Sequence, residues 1–178
     1  MEVKIQDVTN RNLGDLTGLC TPAWEDESHA QTLKEGGLRK RDWITRAIQM
    51  FGICAKVAYL RGKPIGFIEF YPAHAFPLLP KLDKTVIITC VFIPSKSLQG
   101  QGIGSELVQS LINDLRDRAL PAFSGEKAEQ IAIGSWGCHV GFPESLPRFQ
   151  KFFLANGFKE DPTFPDPTGK GGILTFEL

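Results

Sequence analysis

The chain has 178 residues, of which 42% are hydrophobic, 22% charged and 10% aromatic. That length predicts one domain, 1–178, able to bury about two-thirds of its unfolded surface without a covalent staple. The composition excludes wholesale disorder and collagen-like repeats. The 20 Lys and Arg against 20 Asp and Glu also lack the basic excess of a nucleic-acid binder.

Four cysteines, Cys20, Cys54, Cys90 and Cys138, form no CxxC pair, unlike a secreted disulfide scaffold or a zinc ribbon. Met1 to Asp7 lacks the apolar core of a signal peptide. The longest apolar run, Val86 to Ile93, is too short to span a bilayer. The expectation is a soluble cytoplasmic protein with no membrane and no nucleic-acid partner.

In chain order, Val3, Ile5 and Val8 predict a first strand, and Leu13, Leu16 and Leu19 a first helix. Thr21 to Arg41 then turns polar, carrying Trp24-Glu25-Asp26-Glu27 and Gly36-Gly37. A second helix is marked by Trp43, Ile44, Ala47, Ile48 and Phe51, capped by Asp42 and stopped by Gly52. Cys54–Leu60 and Ile65–Tyr71 read as a hairpin around the turn Arg61-Gly62-Lys63-Pro64. Pro72 to Pro80 reads as a loop, and Thr85 to Ile93 as a strand buried on both faces. Pro94 to Gly104 leads into an amphipathic helix striped by Ile103, Leu107, Val108, Leu111, Ile112 and Leu115. Gln130–Trp136 is a strand, and 146–156 a helix with Ser145 as cap and Gly157 as stop. A Pro- and Gly-rich segment precedes a closing strand, Ile173–Leu178. The order β-αα-βββ-α-β-α-β is that of a mixed α/β domain.

The chemistry sits where Val91-Phe92-Ile93-Pro94 runs into Gln99-Gly100-Gln101-Gly102-Ile103-Gly104-Ser105. Glycines allow close backbone approach. First-turn N–H groups of a helix have no intrahelical partner and sit at the positive end of its dipole. Such a site suits phosphate. Hydrogen bonds to a charged partner contribute about 1.5–3 kcal/mol each, so a few anchor a diphosphate at micromolar affinity. A Walker loop is excluded, because no Gly-Lys-Ser/Thr follows. A dinucleotide fingerprint is met in part by Gly100 and Gly102, with Ser105 where Gly or Ala is wanted. A helix that merely starts at a glycine-rich turn also fits.

Gln99-x-x-Gly102-x-Gly104, preceded by a strand ending at Pro94, resembles the Gln/Arg-x-x-Gly-x-Gly/Ala signature of the GNAT superfamily of N-acetyltransferases. The element order and the segment Phe152 to Phe158 resemble that family's late helix and its Gly-Phe ending. The resemblance implies a GNAT-like α/β fold, a mixed twisted sheet of about 6–7 strands flanked by about four helices. It further implies a V-shaped splay between the strands at 85–93 and 130–136. Acetyl-CoA would be the cosubstrate, its diphosphate held by Gln99, Gly100, Gln101, Gly102, Ile103, Gly104 and Ser105. Val91, Phe92 and Ile93 would meet its pantetheine arm. Many relatives place in the late helix a Tyr that protonates the leaving thiolate; the matching position here is Phe153, which would border the cofactor.

Leu146 replaces a helix-start Asn frequent in the family, and Val86 to Ile93 carries no carboxylate to serve as base. Proton carriers are therefore sought elsewhere. Glu69 alternates with Ile65 and Phe67 and would face a cleft or water. Cys138 and His139 follow the strand ending at Trp136, near the expected leaving sulfur, and either could donate a proton. His74, among prolines, reads as solvated. No ligand spacing supports a metal at Cys90, Cys138 and His139. Trp24 with Glu25, Asp26 and Glu27 would attract a cationic amine or form a solvated acidic loop. Deprotonating a lysine-like amine at pH 7 costs about 4.6 kcal/mol, an α-amine only about 1 kcal/mol.

The expectation is a direct-transfer N-acetyltransferase acting on a primary amine of a small molecule or peptide, as monomer or homodimer. An exposed edge at Ile173–Leu178 would allow pairing between copies. A non-catalytic acyl-CoA-binding or sensing module is the alternative, with a dinucleotide-type binder third.

Overall fold

A computed structural model of the chain describes residues 2–20, 27–76, 82–134, 146–163 and 173–178. Their elements are β1 Val3–Asp7, α1 Leu13–Cys20, α2 Glu27–Phe51, β2 Ala55–Leu60, β3 Lys63–Pro72, β4 Thr85–Phe92 and α3 Ile103–Asp117. There follow β5 Gln130–Gly134, α4 Leu146–Ala155, β6 Lys159–Glu160 and β7 Ile173–Glu177. The strands hydrogen-bond in the order β1-β2-β3-β4-β5-β7-β6, a mixed α/β sheet as the element order predicts. Two compact units can be distinguished, Met1–Glu69 with Cys90–Leu111, and Phe70–Thr89 with Ile112–Leu178.

In the first unit, β1 and β3 flank β2 antiparallel. Leu60 pairs with Lys63, so Arg61 and Gly62 alone make the turn, with φ of 50° and 77°. Positive φ at both central residues is the type I′ geometry that matches strand twist. The turn is thus shorter than the four residues expected. Pro64 instead pairs with Tyr59 inside β3, and the register then skips Ile65 to pair Ala58 with Gly66. Proline has no N–H for the ladder, which suits it to a bulged strand start. Within β2, Lys56 is 4% exposed and its ammonium lies 2.8 Å from the carboxylate of Asp7, its neighbour in the ladder.

The second helix departs from expectation. It begins at Glu27, and Asp42 lies inside it instead of capping it. Glu27 to Arg41 is rich in good helix formers and free of proline, but it carries no apolar stripe, so it reads as a polar connection. Gly36 and Gly37 each cost about 1 kcal/mol of helix propensity without interrupting the helix. The apolar face expected farther along is correct: Ile44 and Ala47 are fully buried.

In the second unit, β4 runs parallel to β5 from Thr85↔Gln130 to Ile88↔Ile133. Thr85 to Ile88 are buried, Thr89 is exposed, Cys90 and Val91 are half-buried and Phe92 is 37% exposed. Burial on both faces therefore covers Thr85–Ile88, which pair with described residues of β5, and not all of Thr85–Ile93 as expected. Positions 135 and 136 of the expected splay lie outside the described residues.

β7 pairs with β5 on one side and with β6 on the other. Ile173–Leu178 is therefore not the exposed edge expected; β1 and β6 end the sheet. The two charged residues of β6 carry no strand pattern, and short charged strands are a usual way of closing an edge. Ala73, Ile87, Ala132 and Ile173 form a buried cluster under this half of the sheet. No helix among the described residues is long and apolar enough to cross a membrane.

α4 ends in a Schellman motif. The Phe158 N–H donates to the Phe153 carbonyl and the Gly157 N–H to that of Leu154, both at 3.1 Å. Gly157 adopts φ 89°, and the Phe153 and Phe158 rings pack 5.2 Å apart as the motif's hydrophobic contact. A Cβ at Gly157 would lie 3.1 Å from the Phe176 ring. Gly157→Ala should therefore cost about 1–2 kcal/mol, read as a lower urea midpoint at unchanged slope. An unchanged midpoint would contradict this helix ending.

Candidate functional site

The glycine loop of the first unit is pinned from behind. After β4 the chain makes a short 3-10 turn at Lys96–Leu98. The Gln99 amide Nε2 then donates to the Ile93 carbonyl at 2.8 Å, and Gln101 Nε2 to that of Ser97 at 2.6 Å. Gly100 and Gly102 adopt φ of 76° and 86°, a conformation side chains resist. No atom stands within 4 Å of where a Cβ would project from either. The first helical hydrogen bond of α3 runs from the Glu106 N–H to the Gly102 carbonyl at 3.0 Å. The N–H groups of Ile103 and Gly104 thus precede the helix ladder. Ile103, 1% exposed, anchors the helix start. Exposed backbone and open space meet here at the positive end of a 15-residue helix, an arrangement able to receive an anion.

Gly66 of β3 lies against the strand that feeds this loop. A Cβ there would stand 3.0 Å from the Phe92 carbonyl oxygen and collide with the Ile93 side chain. Glycine at 66 is what lets Phe92 and Ile93 approach so closely. The Phe67 and Phe92 rings meet edge to face, 6.0 Å apart.

Glu69 faces neither an open cleft nor water. It is 5% exposed, and its Oε2 lies 2.6 Å from the Lys40 ammonium. Lys40 also donates to Cys20 Sγ at 2.9 Å and stands over the Phe67 ring, 5.3 Å from its centre. Burial works against the Lys40 cation, but Glu69 and the hydrogen bonds outweigh it and raise the pKa. Burial pushes the Cys20 thiol up, opposed by the Lys40 hydrogen bond. Burial, and then the Glu69 charge, push both Cys54 and Cys90 up to about 12. Sequence reasoning singled out Glu69 but missed Lys40, Cys20 and Cys90 around it. Lys40 falls four and seven residues before Ile44 and Ala47, so extending the helical period backwards puts it on their buried face.

Cys138, His139, Trp24, Glu25 and Asp26 lie outside the described residues. The Phe153 ring, 3% exposed, is enclosed by the rings of Phe149, Phe152 and Phe158. His74 is exposed, as expected, and meets the Phe123 ring edge to face. Among the described residues no group of three or more His, Cys, Asp or Glu is placed to hold a metal.

The buried thiols predict an alkaline limit to stability. Above pH 9 a thiol of the unfolded chain ionises while Cys54, held near 12, stays protonated. The unfolded state then binds fewer protons, so stability falls by about 1.4 kcal/mol per pH unit for this group. Cys90, pushed up to about 12 as well, adds a second contribution of the same sign. Urea unfolding between pH 8.5 and about 10 should show this slope, and Cys54→Ala should flatten it. An equal slope in the variant would contradict the burial argument.

A model of the Acetyltransferase (GNAT) family matches residues 15–142, while no curated protein matches the chain in sequence. Among solved structures, the PaiA N-acetyltransferase from Thermoplasma acidophilum, in complex with coenzyme A, superposes with a TM-score of 0.64. Identity is 15%, and all of both chains is covered. The aminoglycoside acetyltransferase AAC(6')-Ib, in complex with coenzyme A and kanamycin, gives 0.63 at 18% identity over 99% of this chain and 95% of that one. A GNAT family acetyltransferase from Brucella melitensis, in complex with acetyl-CoA, gives 0.55 at 17% over 99% and 88%. At these identities the likeness is one of fold. The family model spans well over half of the sequence, and its match takes in β4, the glycine loop and α3 together. The chain belongs to the GNAT family of acetyltransferases.

Proposed function

We propose that the chain, 1–178, works as one acetyl-CoA-dependent N-acetyltransferase domain. It passes the acetyl group directly from the thioester to a primary amine of a small molecule or peptide. The observation that carries this reading is the run from Gly100 to Gly104. Two left-handed glycines with open space before them lead into a helix start whose N–H groups face outward. A pyrophosphate is the anion such a cradle suits. In this reading Gln99 and Gln101 act from behind, tying the loop to Ile93 and Ser97, while the backbone from Gly100 to Ser105 holds the diphosphate. The exposed half of β4, Val91 and Phe92 continuing into Ile93, meets the pantetheine arm, and Gly66 keeps that strand in place.

Acyl transfer asks the protein to position the amine against the carbonyl and to stabilise the developing oxyanion. The amine nitrogen bonds to the carbonyl carbon, the carbon–sulfur bond breaks, and the thiolate leaves. The amine's proton must go to a base. Glu69, Cys138 and His139 are the side-chain candidates, and Glu69 already has an ammonium on it, that of Lys40. A low-pKa amine, or a water relay to a more basic one, eases that step. The solved relative bound to kanamycin supports an amine acceptor for this chain.

The non-catalytic alternative, an acyl-CoA-binding or sensing module, is favoured by one observation. Phe153, at the position of the family's proton-donating Tyr, has no hydroxyl, and its ring is buried.

Calorimetric titration of acetyl-CoA, CoA and NAD separates these readings from the dinucleotide one. Micromolar binding of both CoA species without NAD is expected, with acetyl transfer across an amine panel. Valine at Gly102 would strain the backbone at φ 86°; Asn tolerates that conformation and fills the space before the helix. Gly102→Asn should weaken CoA binding at least about tenfold in a chain that still unfolds cooperatively. Binding of NAD, or none of CoA at millimolar concentration, would refute the loop assignment; binding without transfer would favour the sensing module.

A further inference from the structure

We propose that Cys20 and Lys40 form an oxidative modification site, at which a peroxide converts the Cys20 thiol to a sulfenic acid and the Lys40 amine closes it to a sulfenamide. Three placements carry this. Lys40 Nζ stands 2.9 Å from Cys20 Sγ, already in contact with the atom it would bond. The same nitrogen lies 2.6 Å from Glu69 Oε2, a carboxylate positioned to take the proton that must leave before the nitrogen can attack. Cys20 is half-buried, as is Cys90, whereas Cys54 is fully buried, so a small oxidant reaches Cys20 before Cys54. Of the two half-buried thiols, Cys20 is the one hydrogen-bonded to an amine.

The steps balance. The Cys20 sulfur attacks one peroxide oxygen; the S–O bond forms, the O–O bond breaks, and water leaves with the thiol proton. Sulfenic acids condense readily with neighbouring thiols or nitrogens. Glu69 then accepts a proton from the Lys40 ammonium, and the freed lone pair attacks the sulfenic sulfur. The S–N bond forms, the S–O bond breaks, and hydroxide leaves as water with a second amine proton. Sulfur is oxidised by two electrons, and hydrogen peroxide is reduced to two waters. The bridge ties the last residue of α1 to α2 and replaces the Lys40 cation with a neutral nitrogen, ending its ion pair with Glu69. The attacking species is the thiolate, and the Cys20 thiol is raised by burial, so the rate climbs with pH.

The test needs one thiol. In a Cys54→Ala, Cys90→Ala, Cys138→Ala variant no intrachain disulfide can form. Hydrogen peroxide should then lower its intact mass by about 2 Da, two hydrogens lost, and dithiothreitol should restore it. Adding Lys40→Arg to that background should abolish the loss, leaving Cys20 heavier by about 16 or 32 Da as sulfenic or sulfinic acid. In the unsubstituted chain, peptide mapping after peroxide should find Cys20 and Lys40 joined. Oxygen gain with Lys40 present, a mass loss that survives Lys40→Arg, or Cys20 paired with another cysteine in the native chain would overturn the proposal.

Discussion

Among the described residues the parallel register between β4 and β5 runs from Thr85↔Gln130 to Ile88↔Ile133, and past Ile88 the burial of β4 changes character. Up to Ile88 the strand behaves as its β-branched, apolar sequence demands, buried and paired. From Thr89 to Phe92 the same kind of sequence is half-buried or exposed. Apolar strand residues left open to solvent cost free energy unless something covers them. The segment then passes through Pro94 into a loop whose two left-handed glycines could not be ordinary residues without strain. A half-covered strand feeding an outward-facing helix start is a run of structure arranged for something extended at one end and anionic at the other.

Charge inside the first unit is handled differently. Two lysines are each held by a carboxylate: Lys56 by Asp7, and Lys40 by Glu69. A buried carboxylate without a partner would be strongly unfavourable, so Glu69 on β3 and Lys40 on α2 are tied to one another. This pairing ranks Glu69 as a structural carboxylate as much as a chemical one. Around it lie the thiols of Cys20, Cys54 and Cys90, which neither the family signature nor the apolar pattern accounts for.

The elements with strong periodicity were legible. The stripe from Ile103 to Leu115 is buried along its whole length, and Gly157 ends its helix as expected. The glycine loop was legible because positive φ narrows the choice of residue. Three things were not. The first half of α2 has helix-forming residues but no apolar face that periodicity could detect, so Lys40 was overlooked. The two residues of β6 are too short and too charged to read as a strand, and the protection of β7 went unseen with them. The half-burial of β4 was not legible either, since Val86 and Val91 look alike in sequence, yet the first is buried and the second half-buried. Glu69 was singled out by strand alternation, yet alternation gives the face and says nothing of a cation on it.

The central claim is that the backbone of the loop and helix start receives the diphosphate of a CoA thioester. Amide chemical shifts followed by NMR during an acetyl-CoA titration test it most directly. The account predicts that the largest changes fall on Gly100, Gln101, Gly102, Ile103 and Gly104, with a second group at Val91 to Ile93. Changes clustered elsewhere, with the loop amides unmoved at saturation, would contradict it.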